Sequence, residues 1–344
     1  MKKFLIKTLA FALIFALTAA GLCVGIDPYN VFHPLSYREN GVEPNKNYIK
    51  MVYVLHEPEK FDTFLFGSSR VGFVNAQKLS GARAYNMTGS MALPREHLDN
   101  LKTMLHHGIV PKNIIIEIDD LSYRNDPDDN LRQHQRAPYE YLRRHPLRFA
   151  ELYLCPVVAL DALEIIRYSS RNAQQEADFY ASGSTIVYGE RGQYSPHTRE
   201  DLSGPSYLDG AMAAMEEIAR LCRENGVRLT VFVTPMHYAT YTGALERGDY
   251  FSFLRRLAQI TPFYNFSGYN DITLDSDNYM DTSHYLAEVG DRIIDVIWNG
   301  NADERLLAQG FGFYTDTGNV EQLIQTLEQG NALYYDAFIN EPIS

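Results

Sequence analysis

Cysteine is scarce: Cys23, Cys155 and Cys222 are the only three in 344 residues, and no two are closely spaced. No CxxC or other zinc ligand set can be built from them, so no metal site is expected. Cys23 lies in an apolar N-terminal run, so at most Cys155 and Cys222 could pair; two buried free thiols are the other reading. Positive charge is also short, with Lys plus Arg 31 against Asp plus Glu 43 and a net charge of −12. That excludes general nucleic-acid binding, which needs clustered cations, and leaves open only a local basic groove. There is no second long apolar run, no internal repeat and no long low-complexity tract. With 45% apolar and 22% charged residues, the chain is neither disordered, nor collagen-like, nor a many-span transporter. Its length allows one large domain or two small ones. Tyrosine (24) and phenylalanine (18) are plentiful beside a single tryptophan, which suits a core with wet edges or a sugar-facing cleft.

The one long apolar run is at the N-terminus. Lys2, Lys3 and Lys7 precede Thr8 to Ile26, 19 residues without a charge. As a helix at about 1.5 Å per residue this run matches the hydrocarbon thickness of a bilayer. Three lysines before it and Asp27 after it place the N-terminus inside and the remainder outside the cytoplasm. A cleaved signal peptide is the competing reading, but the run is longer than a typical signal core and the sites near Thr18 to Gly21 are only fair. Ala-Ala-Gly-Leu-Cys before Cys23 hints at a lipoprotein site, against which Leu22 stands where a small residue is wanted. The expectation is residues 1–26 as a transmembrane signal anchor, 27–59 as an approach segment, and one extracytoplasmic domain from 60 to 300.

Within that domain apolar strands and amphipathic helices alternate. Strands are expected at Thr63–Phe66, Ala82–Asn86, Asn113–Ile118, Val227–Val233 and Phe263–Phe266. Helices are expected at Asn47–His56, Pro94–His107, Tyr207–Asn225, Tyr250–Gln259 and Tyr285–Trp298. This order predicts an α/β protein, a three-layer α/β/α sandwich on a mainly parallel, flavodoxin-like sheet. Residues 130–206 break the rhythm and are expected to cap the strand ends, with Tyr139, Tyr141, Arg143 and Arg144 either lining a sugar-binding wall or packing the insertion. Residues 301–344 hold seven acids and one base and read as an acidic solvated extension, although Val320 to Leu327 is amphipathic.

Three short blocks carry the chemistry. In Gly67-Ser68-Ser69-Arg70 a serine follows an apolar strand and a glycine, where a nucleophile would stand at the edge of a sheet and a following helix N-terminus would offer N–H groups to an oxyanion. A helix N-cap is the plainer use of such a serine. In Met280-Asp281-Thr282-Ser283-His284-Tyr285, His284 could take a proton from a serine while Asp281 holds its other nitrogen. Here too a helix cap with an incidental histidine is the plainer reading. The third block is Asn86-Met87-Thr88-Gly89-Ser90, a strand-to-helix turn. His237, after Thr234-Pro235-Met236 at a strand end, is a second-choice cleft residue.

A Gly-x-Ser after the first core strand combined with Asp-x-x-His before the last core helix resembles the SGNH (GDSL-type) hydrolases. The membrane segment, Asp27-Pro28-Tyr29 and Gly67-Ser68-Ser69-Arg70 are similar to the membrane-anchored extracytoplasmic branch, which includes the D-alanine transfer protein of teichoic acid modification and the alginate O-acetylation proteins. The likeness covers roughly residues 60–120 and 207–298. It implies Ser69 as nucleophile, His284 as base, Asp281 as orienting acid, and the amides of Ser69 and Gly89 as oxyanion donors. Ser68, Arg70, Asn86, Asp119, Asp120 and His237 are then expected around the cleft. The family's Gly-x-Asn-Asp is replaced by Glu117-Ile118-Asp119-Asp120, which removes a side-chain donor and sets carboxylates near the oxyanion. Arg70 serves either as a compensating cation or in a structural ion pair. The resemblance implies a serine esterase or O-acyltransferase that needs no cofactor, acts on a glycan or acyl-carrying substrate of the cell envelope, and works beside a multi-span acyl exporter. An assembly factor that keeps the fold without activity, and a secreted lipase-like enzyme released by cleavage, are the rival expectations.

Overall fold

The computed structural model describes residues 1–168, 171–184 and 204–338. Its sheet has six strands: β1 (Thr63–Phe66), β2 (Ala84–Asn86), β3 (Asn113–Ile118), β4 (Arg228–Val233), β5 (Phe263–Asn265) and β6 (Phe313–Thr315). Their order is β2-β1-β3-β4-β5-β6. All neighbours are parallel except β5 and β6, which pair antiparallel with Tyr264 opposite Tyr314. The β-branched run Ile114-Ile115-Ile116 gives β3 a buried centre, with Leu65 opposite Ile115 and Ile116 opposite Val231.

Alternation along the strands sends side chains to two cores. Phe64 and Phe66 of β1 and Ile114, Ile116 and Ile118 of β3 face one layer. That layer is built mainly from α2 (Lys46–His56), α3 (Pro94–His106), α9 (Leu208–Glu224) and α11 (Tyr250–Ile260). Leu65, Ile115 and Phe232 face the other, whose main helix is α12 (Ala287–Ile297). Val289, Ile293, Ile294 and Ile297 recur at helical spacing on α12 and are all buried, each contributing about 1.5–3 kcal/mol of burial. The structure is therefore a helix–sheet–helix sandwich.

α1 (Lys2–Ile26) is a single membrane span followed by the extracytoplasmic domain. Its large apolar side chains from Phe4 to Leu17 are 59–76% exposed, as a lipid-facing helix requires. Asp27 ends it in the left-handed conformation, and its carboxylate accepts from the amides of Val31, Phe32 and His33. The interruption after β3 contains the short α4 (Leu121–Arg124), then α5 (Tyr139–Arg144), α6 (Pro146–Tyr153), α7 (Pro156–Tyr168) and α8 (Ala173–Ser182). The part of the expected cap at 185–203 lies outside the described residues. α7 packs along the end of α1, with Cys23, Val158 and Ala159 in one buried cluster. In α5, Arg143 and Arg144 pair with Glu140, and the Tyr139 ring lies 5.6 Å from that of Tyr48; they pack the insertion.

Three expectations need correction. The tail is not a solvated extension. β6 extends the sheet, the short α13 (Glu304–Leu307) precedes it, and α14 (Val320–Phe338) buries Val320, Leu323, Ile324 and Leu327 in the larger core. The apolar spacing of α14 outweighs its charge because the acids stay on its outer side: Glu321 is exposed and pairs with Arg255. The domain does not begin at residue 60: the helix expected within the approach segment forms as α2, and its Ile49, Met51, Tyr53 and Val54 are core residues. For the cysteines the free-thiol reading holds, since all three are free, and only the burial expected of Cys155 is not met: it is part-exposed beside Cys23, whose thiol lies 3.8 Å from the Cys155 carbonyl oxygen, while Cys222 is buried in α9.

Candidate active site

The nucleophile candidate stands where the strand order of the parallel sheet switches sides. β1 lies between β2 and β3, and the crevice at the carboxyl ends of such strands is the usual ligand site of open α/β sheets. Gly67 leaves β1 so close to its neighbours that an added Cβ would sit 2.4 Å from Val71 and 2.7 Å from the Glu117 carboxyl. Ser69 then opens a five-residue 3₁₀ turn, Ser69–Phe73, rather than the helix N-terminus expected, so a helix dipole contributes little. The Asn86 side-chain amide fastens this turn by donating to the carbonyls of Val71 (2.8 Å) and Val74 (3.2 Å). The Thr88 hydroxyl donates to Ser68 O, and the Ser68 amide donates to Glu117.

The base candidate is on a tight loop before α12. The Met280 amide donates to His284 O at 2.8 Å, and Tyr279 and Tyr285 bridge across the loop neck. Asp281 accepts from the amides of Ser283 and His284 and lies 2.9 Å from His284 Nδ1. Gly290 lets α12 approach the nucleophile segment, since a Cβ there would fall 2.3 Å from Phe73 O. Ser69 Oγ is thereby 2.8 Å from His284 Nε2, across 215 residues of sequence.

The protonation pattern follows from the partners. Burial alone would raise the Asp281 carboxyl, but the bond from His284, its charge and the two loop amides hold it below the usual carboxylate range. An ionised carboxylate only accepts, so His284 Nδ1 carries a hydrogen toward it. In the neutral ring Nε2 is then an acceptor, placed to receive the Ser69 proton. The arrangement is open: the His284 side chain is 28% and that of Asp281 51% exposed.

The residues expected around the cleft are supports instead. Arg70 is buried and donates to Asp119 and, at 2.9 Å, to Asp120. Its other nitrogens reach Ser283 O at 2.9 Å and Ser283 Oγ at 3.2 Å. It thus ties the end of β3 to the His284 loop. Asp119 and Asp120 are buried in this ion pair, so they do not bring unpaired negative charge to the oxyanion. Burial would raise Asp119, but the Arg70 charge outweighs it and lowers its carboxyl. Burial, together with the neighbouring Asp119 charge, raises the Glu117 carboxyl well above its ordinary range. Ser68 and Asn86 are buried in the turn. His237 is buried too, capping α10 (Tyr238–Glu246) through the Ala239 amide and lying 3.0 Å from Ser276 Oγ. The Gly89 amide also departs from expectation: it donates to Gly67 O at 3.2 Å. Among the described residues the Ser69 amide has no hydrogen-bond partner, so it can donate to a group entering the crevice.

Several contributors escaped the sequence reading. Thr240 Oγ1 donates to Thr282 O at 2.6 Å and steadies the base loop from α10. Lys50, buried on α2, donates to Asn86 O (2.9 Å) and Thr88 O (3.0 Å), and Asn47 packs over Gly89. The available signal was a lysine three and four residues before Tyr53 and Val54, within the apolar stripe of α2. Ser283 was visible only as part of its block. Among the described residues no group of His, Cys, Asp and Glu is arranged to hold a metal ion. Compared with family models, with curated proteins and with solved structures, the chain gives no match.

Proposed function

We propose that the protein is a membrane-anchored serine esterase or O-acyltransferase of SGNH type that acts on acyl groups of a cell-surface or secreted glycan. The observation that carries this reading is the relay Ser69–His284–Asp281, with contacts of 2.8 and 2.9 Å. The parallel strand order 2-1-3-4-5, flavodoxin-like, and the position of Ser69 after β1 support it. Ser69 Oγ attacks the acyl carbonyl carbon while its proton passes to His284 Nε2. The Ser69 amide donates to the oxyanion, and collapse expels the donor alcohol, which takes the proton from His284. Water or a sugar hydroxyl then gives its proton to His284, attacks the acyl-serine and restores Ser69. An open site admits an acyl group attached to a polymer without a tunnel. Placement outside the membrane favours acyl donors delivered across it, with a multi-span exporter as partner.

A second reading, an assembly factor binding the same glycan without turnover, is favoured by the commitment of the Gly89 amide to Gly67. Loss of one oxyanion donor typically costs about 10²–10³ in rate. Treatment of the full-length protein in detergent with a fluorophosphonate probe separates the two. Labelling of the wild type and none of Ser69→Ala is expected; an unlabelled wild type that still binds glycan fragments overturns the enzymatic reading.

A further inference from the structure

The membrane span does not end the apolar surface of this protein. After Ile26, eleven large apolar side chains are exposed among the described residues, and six of them lie on α6, on α7 or at the junction between them: Leu147, Leu154, Val157, Leu160, Leu163 and Ile166, at 41–80% exposure. Soluble surfaces seldom gather so many on one short segment. α7 is the helix that packs along α1. Its inner side, Val158, Ala159 and Ala162, is buried, and small residues at Ala19, Cys23 and Ala159 allow the two helices to approach closely.

Position along α1 fixes the depth. Counting from Lys7 at the inner boundary, about 30 Å of hydrocarbon reaches roughly to Asp27. The stretch of α1 from Ala19 to Ile26, which α7 accompanies, is therefore the part within the outer leaflet. The exposed face of α7 continues the lipid-facing surface of α1 instead of opening into water. The one carboxylate of α7 near this junction, Asp161, accepts from the Tyr29 hydroxyl at 2.8 Å and is satisfied within the protein. Glu164 and Arg167 are exposed beside the apolar residues, the mixed pattern of an interfacial helix rather than of a second span.

We propose that α7, with the end of α6, is a second membrane contact: it lies in the outer leaflet beside α1 and seats the extracytoplasmic domain on the lipid surface in one orientation. A chain of contacts carries that seat to the site. Asn45 donates to Tyr153 Oη (2.7 Å) at the end of α6 and to Ala137 O (2.9 Å), and Asn47 donates to Arg136 O (2.7 Å) while packing over Gly89. The Asn86–Ser90 loop beside Ser69 is thus braced against the membrane-seated helices. The inference does not depend on the chemistry proposed for Ser69.

The test uses full-length protein in phosphatidylethanolamine–phosphatidylglycerol vesicles, with the single tryptophan removed as Trp298→Phe. Leu160→Trp and Leu163→Trp are introduced separately, with Leu17→Trp in α1 and Val110→Trp as references. Replacing part of the lipid by one brominated in the acyl chain should quench Leu160→Trp and Leu163→Trp about as much as Leu17→Trp, and leave Val110→Trp unchanged. Fluorescence at both α7 positions that ignores the brominated lipid, while Leu17→Trp is quenched and thermal unfolding matches the parent, overturns the proposal and leaves the face to a protein partner.

Discussion

The two halves of the candidate site are built differently. The Ser69 turn sits on buried polar supports: Glu117, Asp119, Asp120, Arg70, Asn86 and Thr88 are all at most 2% exposed. The His284 loop is half open, with Asp281 satisfied mainly by its own loop amides and by the imidazole. Ser69, the candidate nucleophile, is fixed in a dry ion-paired frame, whereas His284, the candidate base, stands on a shallow loop, and Arg70 is the bond between them.

Separate losses of function and of stability would sharpen that contrast. The largest effect is expected from Asp281→Asn, which should slow fluorophosphonate labelling or ester turnover by about 10⁴, since the amide no longer enforces the productive imidazole tautomer. Its urea midpoint should stay near that of the parent because the side chain is half exposed; an equal loss of stability would break the contrast. Arg70→Leu should do the reverse, costing about 3–5 kcal/mol of stability by leaving buried Asp119 without its cation and Asp120 with only the more distant Arg124, 3.5 Å away. Chemical unfolding of the detergent-solubilised chain measures this. Arg70→Lys should recover only part, since a point charge cannot serve Asp119, Asp120 and Ser283 together.

A smaller effect concerns pH. Glu96 on α3 accepts from Asn130 and from the Leu93 amide, and burial pushes its carboxyl up to about 7 from 4.5. Its folded-state value is raised, so the folded protein binds the extra proton between these values. Its contribution is therefore full below pH 4.5 and falls as pH rises to about 7, by roughly 3 kcal/mol in all. Glu96→Gln should flatten the unfolding free energy over that window; an unchanged slope would assign the dependence elsewhere in the frame.

The strands were legible because β-branched and aromatic runs such as Asn113–Ile118 are bounded by turn residues, and β1 and β3 begin and end where the pattern places them. The two chemical blocks were legible because each stands beside a core element. The tail was misread because net charge was weighed above spacing: Val320, Leu323, Ile324 and Leu327 form a stripe that Glu321 and Glu328 do not interrupt. Phe313-Tyr314-Thr315 is too short to announce a strand, and its pairing with β5 is a tertiary fact. The ion pair of Arg70 with Asp119 and Asp120 spans about fifty residues and has no local signature. The commitment of the Gly89 amide likewise depends on where Gly67 O falls, which no motif encodes.

Lys50 has a consequence for how the protein can be watched. Desolvation drives its amine well below the ordinary lysine range, and the carbonyls of Asn86 and Thr88 hold it out of solvent. An amine-acylating reagent can reach it only when α2 lifts from the Asn86–Thr88 loop. The rate of acylation at Lys50 would therefore read partings between α2 and the Ser69 crevice, without any substrate.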